Sequence, residues 1–219
     1  GDGDPVSNTD GSITSTVKTN GDFSIISYTG NGTTGSTVGH GLSSTPDFII
    51  TKRTNTTGNW AVWSPALSGN TYSLLLNGTN AEFVPTDANY TPQNNTSFVY
   101  GLGFNSNTNS SGSDYICYAF RNVTGKQKFG TYSGTGASGN TVTTGFRPGW
   151  LMVKRTDTAE EWVVYDSSRS PFNPNQLTLN PNRSDAEGSY SHLQVQFDSN
   201  GFTLLSTDSW LNASGGTYI

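Results

Sequence analysis

Apolar positions in this chain fall in short clusters separated by stretches of Gly, Asn, Asp, Ser, Thr and Pro. No window sustains the apolar period of an amphipathic helix. The clusters are rich in β-branched and aromatic residues, so strands and turns are predicted throughout. The first half gives strands at Phe23–Tyr28, Asp47–Arg53, Trp60–Trp63, Tyr72–Leu76, Ser97–Phe104 and Tyr115–Phe120. The second gives Lys128–Tyr132, Trp150–Arg155, Trp162–Tyr165, Gln176–Leu179, His192–Phe197, Thr203–Leu205 and Thr217–Ile219. Helix is expected at most as a turn near Ala66 or Asp185–Glu187. Phe48 to Ile50 and Trp150 to Val153 are apolar at consecutive positions, which implies strands buried on both faces. Trp60 and Val62, like Trp162 and Val164, alternate with other residues and suit strands with one face on a core.

The two halves repeat one another. Pro46 to Thr54 reads Pro-Asp-Phe-Ile-Ile-Thr-Lys-Arg-Thr, and Pro148 to Thr156 reads Pro-Gly-Trp-Leu-Met-Val-Lys-Arg-Thr, at an offset of 102 (148 − 46). Trp60 and Trp162 share that offset (162 − 60 = 102). Tyr28–Gly32 returns as Tyr132–Gly136 (132 − 28 = 104), and Asn109–Ile116 as Asn212–Ile219 (212 − 109 = 103). Internal repetition governs any fold assignment. The expected fold is all-β: two tandem β-sandwich, jelly-roll-like modules related by duplication, with minimal helix. Residues 1–22 read as a linker or lead-in strand, 23–120 as the first module, 121–128 as a connector and 129–219 as the second module. The first module's last strand continues through Cys117 to Phe120, whereas the second stops at Ile219, so the native polypeptide is expected to extend further.

Composition narrows the picture. Apolar residues make up 32% and charged residues 12% of the 219, both below the ordinary globular share. The 11 Phe, 10 Tyr and 5 Trp argue against disorder and for a thin aromatic core beneath a neutral polar surface. A net charge of −5, with no basic run, excludes a nucleic-acid partner. No apolar stretch is long enough for a membrane-spanning helix, and no membrane partner is expected.

Candidate chemistry is sparse. His40 and His192 sit at non-equivalent places in the two halves, no Gly-x-Ser-x-Gly nucleophile elbow occurs, and the adjacent Glu160 and Glu161 read as a solvated hairpin turn. The Asp residues near the start miss the spacing of a calcium loop, and no zinc pattern occurs. No catalytic residue, metal site or cofactor is expected. Cys117, in an apolar strand, reads as an inert buried thiol. Lys52-Arg53 and Lys154-Arg155 end core strands; their charged heads should reach water or an acid such as Asp166, although gripping an acidic glycan is a second reading. Trp60, Trp63, Trp162 and Tyr165 recur in register and read as packing residues. Trp210, Tyr90, Tyr190 and Phe172 fall where the halves diverge. As loop aromatics without a core duty they are the candidate contacts for sugar rings or a neighbouring subunit.

Phe23–Gly32, Val38–Leu42 with Pro46–Lys52, Lys128–Gly136, Thr144–Asp157 and Asn212–Ile219 resemble a repeat family found in virion structural and tail-fibre proteins of marine bacteriophages. The likeness spans nearly the whole chain after Gly21 and brings no catalytic residues with it. It implies a non-enzymatic virion or extracellular protein, a fibre or surface-decoration module. Such a module assembles with copies of itself or other virion proteins, and host-surface glycan is a further candidate partner. The alternatives are a carbohydrate-binding, lectin-like domain, in which Trp210 helps form the site, and a glycan-cleaving tailspike, which needs two carboxylates in one cleft.

Overall fold

Strand pairing follows the apolar clusters closely. The computed structural model describes residues 3–85, 88–92, 97–102, 106–170 and 172–219; at 88–92 and 97–102 the description is of the strand backbone. Among the described residues every named element is a strand and none is a helix, so the turns near Ala66 and Asp185–Glu187 are not helical. The chain divides into two units, Gly1–Leu75 with Glu82–Val123, and Leu76–Ala81 with Thr124–Ile219.

The first unit contains β1 (Val6–Asn8), β2 (Ser15–Thr19), β3 (Phe23–Thr29), β4 (Ser36–Gly39) and β5 (Phe48–Arg53). It continues with β6 (Trp60–Trp63), β7 (Leu74–Leu75), β8 (Ala88–Pro92), β9 (Ser97–Leu102) and β10 (Asp114–Phe120). Seven strands form one antiparallel sheet in the order β1-β2-β3-β10-β5-β6-β7, and β4-β9-β8 form a second sheet. Residues 1–22 thus supply β1 and β2 to the larger sheet. Period-two alternation decides the inner face: Val17, Ile26, Cys117, Ile49 and Trp63 are buried in one cluster with Val38 of β4. Burying each such aliphatic side chain contributes about 1.5–3 kcal/mol, enough for Ile13 and Val17 to tie the leading segment to the core.

The second unit contains β11 (Tyr132–Ser133), β12 (Asn140–Thr143), β13 (Trp150–Lys154), β14 (Trp162–Asp166) and β15 (Leu177–Thr178). β16 (Gly188–Ser189), β17 (Val195–Asp198), β18 (Gly201–Leu204) and β19 (Thr217–Tyr218) complete it. Its pairings are β12-β18-β17, β13-β14, β11-β19 and β15-β16. Its core gathers Val153, Val163, Tyr165, Leu193, Val195, Phe197, Phe202, Leu204, Leu211 and Tyr218.

Two expectations about strand faces need correction. Ala61, Val62 and Trp63 are all buried, as are Trp162, Val163, Val164 and Tyr165, so β6 and β14 are covered on both faces. Their intervening residues are also small or apolar. Conversely, Trp150 is 53% exposed and Leu151 and Met152 are half-buried, unlike the buried Phe48 and Ile49. β5 lies between β6 and β10, whereas β13 pairs with β14 and, among the described residues, meets a strand on its other side only at Lys154 and Arg155.

Each unit holds its loops with a tyrosine–asparagine latch. In the first, Tyr28 stacks on Tyr115 at 5.2 Å between ring centroids, and its hydroxyl donates to the Thr108 carbonyl at 2.6 Å. The Tyr115 hydroxyl donates to the Ser106 carbonyl and accepts from the Ser110 amide, both at 2.9 Å. Asn109 accepts from the Asn31 amide at 3.0 Å and donates to the Thr33 carbonyl at 3.1 Å. In the second, Tyr132 stacks on Tyr218 at 4.9 Å and donates to the Leu211 carbonyl at 2.8 Å. Tyr218 donates to the Ser209 carbonyl at 2.8 Å and accepts from the Ala213 amide at 2.7 Å. Asn212 accepts from the Thr135 amide and donates to the Ala137 carbonyl, both at 2.8 Å.

The latch brings backbones so close that Gly30 and Gly134 have no room for a side chain. A Cβ on Gly134 would lie 2.1 Å from the Ala213 carbonyl oxygen. Gly134→Ala should therefore cost about 1–3 kcal/mol, the usual range for overpacking. Urea unfolding should show the loss, and the Gly136 amide, which donates to the Asn212 carbonyl, should lose protection from hydrogen exchange.

Candidate functional site

The segment from Ser206 to Trp210 is folded by its own short side chains. The Ser206 hydroxyl donates to the His192 carbonyl at 2.6 Å and accepts from the Asp208 amide at 2.9 Å, and the Asp208 carboxylate accepts from the Trp210 amide at 2.9 Å. This Asx-type turn lays the Trp210 indole on the core of the second unit, where it is half-buried. Tyr190 packs on the same core, its ring crossing Gly188 so closely that a Cβ there would lie 2.2 Å from it. Trp210 and Tyr190 therefore do have a core duty, contrary to the sequence expectation, and only part of each ring is left to solvent.

Arg183 lies over one of these aromatics. Its guanidinium carbon lies 6.0 Å from the Trp210 ring centroid. Its Nε donates to Asp185 at 2.6 Å, and its Nη1 is 3.5 Å from Glu161. The hydrogen bond to Asp185 raises the Arg183 pKa, with the Asp185, Glu161 and Tyr190 charges adding to it. The His192 ring meets Tyr190 edge-on at 5.7 Å, and its Nε2 is 3.9 Å from the Asp208 carboxylate. His192 is the open member of the group, its side chain 58% exposed.

Of the other two candidate aromatics, only Phe172 has a described side chain. Phe172 is 79% exposed. Its neighbour Asn173 is held by bonds in both directions to the Phe197 backbone, at 3.0 and 2.8 Å. Tyr90 belongs to β8 of the first unit, and its side chain lies outside the described residues. Arg183 and Asp208 carried no local signal, because they converge across turns rather than along a strand. Tyr190 and His192, two residues apart, share the one spacing that could have linked them.

Among the lysine–arginine pairs, Lys154 departs from expectation, whereas Arg155 does reach an acid. Lys154 does not reach water: it is fully buried and its ammonium donates to the Arg155 carbonyl. Burial pushes its pKa down to about 8, against the opposing pull of Glu160, Asp157 and Glu161. Arg155 pairs with Asp157 at 2.8 and 3.0 Å rather than with Asp166, whose carboxylate accepts from the Ser168 amide. Lys52 donates to the Gly58 carbonyl at 2.9 Å and lies 5.9 Å from the Trp60 ring centroid. His40 is buried and its Nδ1 accepts from the Leu42 amide, while Cys117 is buried in the first unit's core. Among the described residues, no three His, Cys, Asp or Glu side chains gather to hold a metal ion.

The cluster can offer ring faces to C–H groups and, around them, ionised donors and acceptors to hydroxyls. The class these observations define is an all-β, sandwich-like protein of antiparallel sheets. The chain matches the family model described as a domain of unknown function (DUF7483) over residues 1–219, and it belongs to that family. No curated protein and no solved structure matches it.

Proposed function

We propose that the protein is a non-enzymatic structural protein of a bacteriophage virion, a fibre or surface-decoration module made by duplicating one β-sandwich unit. The observation that carries this reading is the recurrence of the latch. Tyr28, Asn109 and Tyr115 make the same kinds of bond in their unit as Tyr132, Asn212 and Tyr218 make in theirs. The β5–β6 register, with Lys52 opposite Trp60, likewise matches β13–β14, with Lys154 opposite Trp162. A duplicated, loop-latched unit with few charges suits assembly, and many copies raise weak contacts to useful avidity. The motif resemblance to phage structural proteins supplies the virion context and an extracellular location.

Gold-labelled antibodies raised against the protein should decorate one appendage or surface layer of intact virions. Light scattering on the purified protein should report a homo-oligomer. Unlabelled particles together with a monomer at all concentrations would overturn the assignment.

A second reading, carbohydrate binding, is favoured by one observation: Trp210, Tyr190, Arg183 and His192 converge on one patch of the second unit. The two readings are compatible, because virion appendages meet cell surfaces.

A further inference from the structure

We propose that the Trp210–Tyr190–His192 patch takes a neutral saccharide and rejects anionic ones. The inference rests on the carbohydrate-binding reading and goes further, to the chemistry of the sugar.

The deciding feature is how the charges at the patch are already matched. The cation seat over Trp210 is filled by Arg183, a residue of the chain itself. Nε and Nη2 of Arg183 are committed to Asp185, and Nη1 faces Glu161. Asp208 adds a third carboxylate, with one oxygen on the Trp210 amide and the other facing His192 at 3.9 Å. Three carboxylates against one paired guanidinium leave the patch net negative. A uronate, sialate or sulfate group would meet like charge with no free fork of donors to receive it.

A neutral ring faces no such penalty. Its hydroxyls can donate to the outer oxygens of Asp185 and Asp208 and accept from or donate to the exposed His192 imidazole. Its C–H face can lie on the solvent-side edges of Trp210 and Tyr190. Because the saccharide brings no net charge, binding should depend little on salt.

The test is a glycan array carrying neutral and acidic saccharides, followed by calorimetry of any hit at low and high salt. His192→Ala removes the open member of the patch without touching the core. Trp210→Phe keeps a ring on the core while shortening the platform. The expected result is binding to neutral glycans only, unchanged by salt and weakened about tenfold or more by either variant, equivalent to about 1.4 kcal/mol. Circular dichroism should confirm that both variants remain folded. Binding confined to acidic glycans, falling steeply with salt, would overturn the inference while leaving carbohydrate binding intact. Neutral-glycan binding unaffected by both variants would place the site elsewhere and also overturn it. Binding to no glycan at all would remove the carbohydrate-binding reading itself.

Discussion

Replacing Lys154 with methionine is expected to stabilise the second unit by about 2 kcal/mol near neutral pH. Lys154 is fully buried, and desolvation lowers its pKa from 10.5 to about 8. At about 1.4 kcal/mol per unit, holding the protonated form in the fold costs about 3 kcal/mol relative to the unfolded chain. Methionine has similar length and no charge to desolvate. Part of the gain is offset because the Arg155 carbonyl loses its donor, and Asp157, Glu160 and Glu161 lose a nearby cation.

The pH dependence carries the sign of that argument. Between about pH 8 and pH 10.5 the unfolded chain still holds the Lys154 proton that the folded chain has released. Stability therefore rises with pH across this window, and the charge penalty is fully felt below it. Burial acts oppositely on Tyr132, Tyr165 and Tyr218, whose hydroxyls are all raised above their ordinary pKa of 10.0. These phenols ionise first in the unfolded chain, so stability falls as pH climbs past about 10. Wild-type unfolding free energies, followed in urea from about pH 7 to about pH 11, should climb and then drop. Lys154→Met should lose the climb and keep the drop. A variant less stable than wild type at pH 7 would show that the ammonium's contacts outweigh its desolvation.

That a lysine at the end of a core strand lies wholly inside the fold was not legible from the chain. Lys154 follows Val153 and precedes Arg155 in a pattern that suits a side chain running out to solvent, and nothing local marks the layer that covers it. The strand ladder was far more legible. Trp63, Trp162 and Tyr165 stand out because large aromatics recur in register with β-branched neighbours. The strands without a clear reading are those with little hydrophobic contrast, such as β4, β12 and the two-residue β16. In β12 only Val142 is apolar, and its partners on β18 supply the rest of the case. Trp210 sits opposite a polar residue of the first half by offset, which suggests a free loop. It is instead the Ser206–Asp208 turn that sends the indole inward.

The latch shows the same limit from the other side, since its residues are visible as a recurring motif while their bonds reach across the fold. Asn212→Asp should expose how much depends on it. Asn212 is fully buried; its Nδ2 donates to the carbonyls of Ala137 and Ser206 at 2.8 and 2.9 Å, and its Oδ1 accepts from the Thr135 amide and Asn140 Nδ2 at 2.8 and 2.9 Å. Aspartate keeps the shape but turns both donor bonds into contacts between an oxygen and a carbonyl oxygen, in a site that cannot hydrate a charge. The carboxyl must either stay ionised against two carbonyls or take up a proton, and the expected loss is about 3–5 kcal/mol, the range for an unmatched buried charge. Such a loss is a large share of the stability of a unit this size. Hydrogen exchange should localise it, with the Gly134 and Gly136 amides losing protection while the equivalent Gly30 and Gly32 amides of the first unit keep theirs. Asn109→Asp should give the mirror pattern. If Asn212→Asp melts with wild type at every pH, the asparagine is not what closes these loops, and the tyrosine pair must hold them alone.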